Sequence, residues 1–240
     1  MLNFEVSPAL LEPLLPAGVT LDLWQGRALV SVVGFRFLDT RVLGVPVPMH
    51  RDFDEVNLRF YVRHVTAKGE VRRGVTFVRE LVPRRAIAVL ARFAYNEPYR
   101  AVPMRSSAPV ALTEEPGRIG YEWRTAAGWQ GVSATAIGTP AALVRGSEAE
   151  FVTEHYWGYT RQRDGGTVEY AVTHPPWRVW RTEAPALTAD VAGVYGSEFV
   201  APLAGSPCSA FVAEGSPVVV HRPRRLPESA TRPRARASAD

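Results

Sequence analysis

Lysine is almost absent from this sequence: Lys68 is the single lysine among 28 basic residues, and the rest are arginine. It stands before Gly69, between two strand-like stretches, where the pattern predicts a hairpin turn. An amine in such a turn is expected to be solvated and protonated. The sequence therefore offers no candidate for a buried, nucleophilic lysine.

Cysteine and clustered histidine are also scarce. Cys208 is the one cysteine, which excludes an intramolecular disulfide and a cysteine-based zinc site. The five histidines are scattered, and a metal site formed by His50, His155 and His174 would require them to converge in space. We favour hydrogen-bonded structural histidines and predict neither a metal nor a cofactor. Phosphate-binding glycine motifs are missing as well.

Excess positive charge is absent from most of the chain. The net charge is +4, but the stretch 222–240 carries six arginines against Glu228 and Asp240, so residues 1–221 are neutral on balance. Nucleic-acid binding would favour aromatic residues between these arginines, and the stretch contains none. We predict one folded domain over 1–221, a disordered, solvated basic tail over 222–240, and no specific nucleic-acid partner.

Signals for a membrane or for secretion are missing too. The first five residues lack the basic start and apolar core of a signal peptide. The longest uncharged run, 125–144, is interrupted by glycine and proline, unlike a membrane span. We expect a cytoplasmic protein without a membrane partner.

Turn residues and alternating apolar residues are abundant. The 19 glycines and 20 prolines fit a many-turned, mainly β (α+β) fold. Apolar residues at helical spacing over 84–95 predict one substantial helix, and Ser7-Pro8 begins a short one. The predicted strands cover 21–24, 28–38, 55–64, 73–82, 110–112, 118–125, 130–137, 150–162, 167–173, 211–213 and 217–221.

The strand over 55–64 has one apolar and one polar face. The polar face carries Glu55, Asn57, Arg59 and Tyr61 at period two. In an open sheet this face would be an ordinary solvated surface, whereas in a barrel it would line a cavity. Charges beside a strongly apolar region are common in pockets for polar ligands, and both interpretations stay open.

Aromatic residues form two unusual clusters, over 95–99 (YNEPY) and 155–159 (HYWGY), and the second is followed by His174-Pro175-Pro176-Trp177. Amphipathic rings suit a ligand pocket and suit a barrel core equally. The sequence leaves this choice open for each ring.

Several motifs follow one another along residues 2–221: LDTRVLG at 38–44, HR at 50–51, EVNLRFYV at 55–62, RRGV at 72–75, VPRRA at 82–86, YNE at 95–97, HYWGY at 155–159 and HPPW at 174–177. Together they resemble a bacterial family of unknown function, sometimes called YqjF-like, whose fold is placed in the acetoacetate decarboxylase-like superfamily. The resemblance implies a closed or strongly curved antiparallel β architecture, a β-barrel around a central cavity.

The resemblance also bears on chemistry. Acetoacetate decarboxylase uses a lysine Schiff base, and a second lysine activates the first. The run RELVPRR at 79–85 loosely echoes the R-E…P-K-K stretch of that enzyme and puts Arg84 and Arg85 where the lysines stand. Arginine stays charged and does not form the imine, so we predict that Schiff-base decarboxylation is absent.

The resulting hypothesis is a protein that binds a small organic acid or carbonyl compound. Arg59 or Arg85 would hold the anionic end of the ligand, and Glu55 or Glu97 would transfer protons if there is chemistry. Further ligand-binding candidates are Asn57, Asn96, Tyr99, His155, Tyr159 and His174.

Two other functions are compatible with the sequence. One is a lyase, hydratase or cyclase that uses Glu with Tyr or His as acid and base. The other is a non-catalytic interaction domain whose polar strand face is solvated. The sequence leaves open whether the protein is an enzyme. It also leaves the oligomeric state open, and a homodimer is one of the possibilities.

Overall fold

The structure, a computed structural model, describes residues 1–38, 41–42, 45–46, 52–84, 96–108 and 117–227. This part of the chain is mainly β. The strands are β1 (Leu2–Val6), β2 (Thr20–Leu21), β3 (Ala28–Phe37), β4 (Arg41–Val42), β5 (Val45–Pro46), β6 (Phe53–Val65), β7 (Val71–Val82), β8 (Tyr99–Ala101), β9 (Met104–Ser106), β10 (Gly117–Thr125), β11 (Gly128–Ala141), β12 (Trp157–Arg161), β13 (Thr167–Thr173), β14 (Val179–Thr188), β15 (Ser209–Ala213), β16 (Val219–Val220) and β17 (Arg224–Arg225).

Short helices connect some of these strands. They are α1 (Pro8–Leu11), α2 (Glu148–Thr153), α3 (Val191–Val194) and α4 (Val200–Leu203), together with 3-10 turns at Glu12–Leu14 and Ser197–Phe199. The side chain of Ser147 caps α2 by accepting a hydrogen bond from the Glu150 amide. No helix within the described ranges has the length and apolar character needed to cross a bilayer.

Fifteen strands belong to one sheet. Its hydrogen-bonded order is β16-β13-β12-β7-β6-β3-β1-β15-β14-β11-β10-β9, with β17 on β13, β2 on β6 and β8 on β7. The pairs are antiparallel except that β7 runs parallel to both β12 and β8. Within the described part of the chain this path is open, so a closed barrel is not what the strand pairing shows.

The hairpin of β6 and β7 forms as the alternation predicts. Gly69 has φ 81° and its amide bonds to the Thr66 carbonyl, so glycine is needed in this turn. On one face of β6, Val56, Leu58 and Phe60 are fully buried in the main core. The polar face is buried as well, since Glu55 and Asn57 are each 1% exposed, which excludes a solvated face there.

The main core lies where the far end of the sheet packs back on β3 and β6. Trp123 of β10 is fully buried in the same apolar cluster as Val30 and Phe60. The ring of Tyr121 lies so close to Gly34 that a Cβ there would come within 2.4 Å of the ring. Glycine at this position therefore allows β10 to approach β3.

Some of the predicted helices and strands differ from the structure or lie outside the residues it describes. The strand predicted over 150–162 is wrong in its first half, because α2 and a connection precede β12. The substantial helix predicted over 84–95 lies almost entirely outside the described residues, as does the strand over 110–112. Strands β1 and β14 were not predicted, although each packs buried residues into the core.

The chain beyond residue 221 does not separate from the body where the domain boundary was predicted. Strand β17 pairs with β13, the Leu226 side chain is 9% exposed within the main core, and its amide bonds to the Thr167 carbonyl. Arg224 bonds to the buried Glu169 carboxylate at 2.6 Å. The residues up to Leu226 therefore belong to the fold, and the rest of the predicted tail from 228 onward lies outside the described residues.

Candidate functional site

A cluster of buried acidic side chains occupies the polar face of β6 and the adjoining strands. Asn57 and Glu80 are direct cross-strand partners on β6 and β7. Glu55 precedes Asn57 by one period of the strand, and its Oε1 accepts a hydrogen bond of 3.0 Å from the Asn57 amide nitrogen. All three side chains are 1% exposed.

Two tyrosines and a third glutamate complete this acid cluster. Tyr99 of β8 donates its hydroxyl to Oε2 of Glu55 at 3.1 Å. Tyr170 of β13 donates to Oε1 of Glu97, which also receives a hydrogen bond from Thr160. The acid cluster is thus Glu55, Asn57, Glu80, Glu97, Tyr99, Thr160 and Tyr170.

Gly158 makes the position of Tyr170 possible. It pairs with Tyr170 across β12 and β13, and a Cβ at Gly158 would lie 2.1 Å from Cζ of the Tyr170 ring. Only glycine leaves room for the ring to lie flat over β12 and reach Glu97.

Burial shifts the acidity of the cluster. Desolvation raises the pKa of Glu55 to about 7, against the opposing effect of hydrogen bonds from Asn57 and Tyr99. Desolvation likewise raises the pKa of Glu97 to about 7. The pKa of Glu80 lies well above its ordinary value because it is desolvated and because Glu97 and Glu55 repel its charge. Near neutral pH the acid cluster therefore retains protons.

Two oxygens in this cluster have no hydrogen-bond partner in the described part of the chain: Oδ1 of Asn57 and Oε2 of Glu80. Buried polar atoms are nearly always hydrogen-bonded, and an exception requires an explanation. Because the two residues are cross-strand partners, their unsatisfied oxygens mark one place on the sheet.

A pocket of about 190 Å³ lies beside the acid cluster, in a gap along β7. Strand β7 pairs with β12 at Gly74 and Val75 and with β8 from Glu80 onward, which leaves an opening between the two. The residues that line the pocket are Leu14, Thr76, Phe77, Asn96, Pro98, Tyr159, Thr160 and Arg161. Asn96 and Pro98 flank Glu97 in the chain, and Thr160 bonds to its carboxyl group. The pocket therefore adjoins the acid cluster at Glu97.

A second polar group lies at the other end of β6. Nε2 of His155 is 3.0 Å from Oδ2 of Asp22, which also accepts from Arg73 at 2.7 Å. Burial lowers the pKa of His155 to about 4, so its ring is neutral at pH 7. Because the Asp22 carboxylate can only accept, Nε2 carries the proton and Nδ1 is an unprotonated, buried nitrogen without a partner among the described residues.

Arg59 lies between the two groups. It donates to the Val152 carbonyl at 3.0 Å, and its guanidinium carbon is 5.8 Å from the centre of the Tyr61 ring. Its Nε is buried and has no partner among the described residues. The positive charge of Arg59 favours ionised Glu55 and neutral His155, so it acts electrostatically on both ends of the strand face.

The structure brings together some of the predicted site residues and separates others. Glu55, Asn57, Glu97 and Tyr99 meet in the acid cluster. Asn96 lies at the pocket, where its side chain bonds to the Arg161 carbonyl.

Tyr159 also lines the pocket, although its hydroxyl bonds to the Arg72 carbonyl. His155 and Arg59 both lie against the Tyr61 ring, away from Asn96 at the pocket, so Arg59, Asn96 and His155 do not converge.

His174 stands apart from both groups. Its ring stacks on Trp177 at 4.0 Å between centres, and its Nδ1 is 2.9 Å from the Pro175 carbonyl at an exposed position. This does not support the ligand-binding role predicted for it. Arg85 lies outside the described residues.

Glu80 and Tyr170 were missed by sequence reasoning. Glu80 stands in RELVPRR, whose arginines carry the resemblance to the decarboxylase, and Tyr170 stands in a strand of ordinary alternation. The register of β6 against β7 was the signal that placed Glu80 opposite Asn57.

No group of three His, Cys, Asp or Glu side chains in the described ranges is arranged to hold a metal ion.

Solved structures define the class of fold. The chain is similar to acetoacetate decarboxylase from Legionella pneumophila, with a TM-score of 0.59 and 14% identity over 95% of this chain and 83% of that one. It is also similar to the enduracididine biosynthesis enzyme MppR complexed with pyruvate, with a TM-score of 0.60 and 14% identity over 95% of this chain and 87% of that one. The fold is therefore acetoacetate decarboxylase-like.

The family is defined by sequence. Residues 1–217 match DUF2071, a family of uncharacterized conserved proteins, and the chain belongs to that family. It is 27% identical to the uncharacterized protein YqjF of Bacillus subtilis (strain 168), over 81% of this chain and 77% of that protein. The resemblance to a YqjF-like family is thus confirmed.

Proposed function

We propose that this protein binds a small organic acid or carbonyl compound at the acid cluster. The observation that carries the proposal is the pair of unsatisfied buried oxygens on Asn57 and Glu80. They belong to the cluster whose Glu97 bonds to Thr160 at the pocket along β7. Leaving one buried polar group unpaired costs about 1–3 kcal/mol. A ligand recovers this free energy on binding when it donates a hydrogen bond to Oδ1 of Asn57 and pairs with the Glu80 carboxyl group, which donates when protonated.

The protonation state of the cluster supports a carbonyl ligand. Burial and the nearby charges of Glu97 and Glu55 raise the pKa of Glu80 well above its ordinary value, which favours the protonated carboxyl group. A neutral carboxyl group donates a hydrogen bond to a carbonyl oxygen in a site that water does not fill. Proton transfer is not required for this role, so the proposal is one of binding.

Arg59 supplies the contact for an anionic end. Its unpartnered Nε lies on the same strand face as Asn57, two residues further, which is about 7 Å along the strand. A carboxylate that accepts from this nitrogen would place the other end of a short molecule near Asn57 and Glu80.

The size of the pocket supports a small ligand. A volume of about 190 Å³ is below the roughly 300–1,000 Å³ of pockets for drug-sized ligands, so it suits only a small molecule. Pyruvate, which is bound in one structure of the same fold, is of that size class. Lys68 lies in the β6–β7 turn, far along the hairpin from Glu55, so binding here relies on hydrogen bonds and charge without an imine.

Isothermal titration calorimetry with acetate, pyruvate and acetoacetate tests the proposal. We expect pyruvate or acetoacetate to bind to the wild type, and Arg59→Ala to weaken binding at least tenfold while the thermal unfolding midpoint stays within a few degrees. Arg181→Ala, an exposed arginine on β14, is the matched control. The absence of binding at millimolar ligand, or an equal loss in both arginine variants, would overturn the proposal.

A further inference from the structure

The unsatisfied groups on the polar face of β6 differ in polarity. Nε of Arg59 is a donor, whereas Oδ1 of Asn57 is an acceptor in every protonation state. Oε2 of Glu80, opposite Asn57, is an acceptor when the carboxyl group is ionised. A ligand that satisfies this face therefore needs an anionic end and, a few ångströms away, an end that donates hydrogen bonds.

We infer that the ligand is a small amino acid, with its carboxylate on Arg59 and its ammonium group on Asn57 and Glu80. This inference rests on the proposed function, because it assumes the same site and the same contact with Arg59. It goes further in assigning a positive charge to the end of the ligand that enters the acid cluster.

The charge of the acid cluster supports a cationic group. The charge of Glu97 raises the pKa of Glu55, and Glu97 and Glu55 together raise the pKa of Glu80. No ion pair among the described residues joins any of these three glutamates to an arginine or lysine. Burying carboxylates without a partner is costly, and a cation within contact distance offsets that cost. An ammonium group has three donors and carries the charge that the cluster lacks.

The arrangement favours an organic cation over a metal ion. The three carboxyl groups do not form a metal-ligating group in the described ranges. Two of them instead accept from tyrosine hydroxyls, Glu55 from Tyr99 and Glu97 from Tyr170. This leaves Oε2 of Glu80 and Oδ1 of Asn57 as the two free acceptors, which suits two N–H groups of one ammonium.

Matched pairs of ligands test the inference by calorimetry at pH 8. Each of glycine, alanine and serine is compared with the oxo acid of the same skeleton, namely glyoxylate, pyruvate and hydroxypyruvate. We expect at least one amino acid to bind tenfold or more tightly than its oxo acid. If the oxo acids bind and the amino acids do not, the inference is overturned and the proposed function stands. If neither class binds, both fail.

Variants of Glu80 separate charge from shape. In Glu80→Gln the side chain keeps its size and loses its charge, so we expect the affinity for the amino acid to fall at least tenfold. Affinity for the oxo acid is expected to change less than threefold. Glu183→Gln, an exposed glutamate on β14, is the control and should change neither. An equal loss of both ligands in Glu80→Gln would contradict the inference.

The pH dependence gives an independent measurement. The ionisable and charged groups around the ammonium are Glu55, Glu80 and Glu97, Tyr99 and Tyr170, and the more distant Arg59. Glu55 and Glu97 ionise as pH rises through about 7, and a bound ammonium group favours the ionised form of Glu80. Amino-acid affinity should therefore increase from pH 6 to pH 8, with protons released on binding. A crystal grown with saturating alanine that shows only an ordered water at Asn57 and Glu80 would refute the inference.

Discussion

Tyr99 donates its hydroxyl to Oε2 of Glu55 at 3.1 Å, in a place where both side chains are buried. The bond connects β8 to β6 across β7, since β8 pairs with β7 and β7 with β6. It also favours the ionised form of a carboxyl group whose pKa burial raises to about 7. The bond is therefore strongest above neutral pH, when Glu55 is charged.

Replacing Tyr99 with phenylalanine should remove this bond and keep the ring packed against Phe53 and Val82. We expect the free energy of unfolding to fall by about 1–3 kcal/mol at pH 8, and by less at pH 5.5, where Glu55 is protonated. Tyr195→Phe is the control, because the Tyr195 hydroxyl is buried without a partner among the described residues and its removal should cost nothing. Urea unfolding of both variants at the two pH values measures the difference.

Overall stability should decline as pH rises through 7. Glu55 and Glu97 have pKa values of about 7 when folded, above their ordinary value of 4.5, so the folded state binds more protons between these limits. The free energy of unfolding then falls with rising pH, by roughly 1.4 kcal/mol per pH unit for each such group. Denaturant unfolding from pH 5 to 7.5 should show the decline, and Glu97→Gln should make it shallower. A rise in stability over this interval would contradict the assigned burial.

His155 has the opposite dependence on pH. Its pKa is lowered to about 4 in the folded protein, below its ordinary value of 6.5, so the unfolded chain binds the additional proton. His155 therefore costs stability as pH falls from 6.5 towards 4. We expect His155→Phe to lose less stability than the wild type over that interval. Parallel curves for the two proteins would show that the ring is protonated in the fold.

The close contact between Gly158 and Tyr170 predicts a position intolerant of any side chain. In Gly158→Ala the new Cβ would displace the Tyr170 ring from Glu97, and we expect a loss of about 1–3 kcal/mol together with weaker ligand binding. Gly205→Ala is the control, since no atom of the described residues lies within 4 Å of the position that its new methyl group would take. Thermal unfolding and calorimetry of both variants check the prediction.

Two truncations test where the fold ends. Removing 228–240 should leave the free energy of unfolding unchanged. Removing 222–240 should lower it by roughly 2–3 kcal/mol, because the buried Leu226 side chain is lost with the Arg224 contact to Glu169. Equal stability of the two truncated proteins would show that the pairing of β17 with β13 contributes nothing.

Local sequence patterns determined much of the sheet. The alternation over 55–64 and the turn at Gly69 together predicted a hairpin that the structure contains. These features depend on the alternation of apolar and polar side chains and on backbone conformations that glycine favours. A few adjacent residues determine both. The sequence alone likewise predicted that the single lysine, Lys68, lies in this turn, and the structure places it there.

Only the tertiary structure decided whether the polar face of β6 meets water or lies inside. Asn57 faces Glu80 because of the register of β6 with β7, and Tyr170 reaches Glu97 because β12 pairs in parallel with β7 and β13 follows it. These pairings join residues far apart in the chain, and the raised pKa of each glutamate comes from the loss of water around it. Desolvation depends on everything packed around a group, which no short stretch of sequence contains.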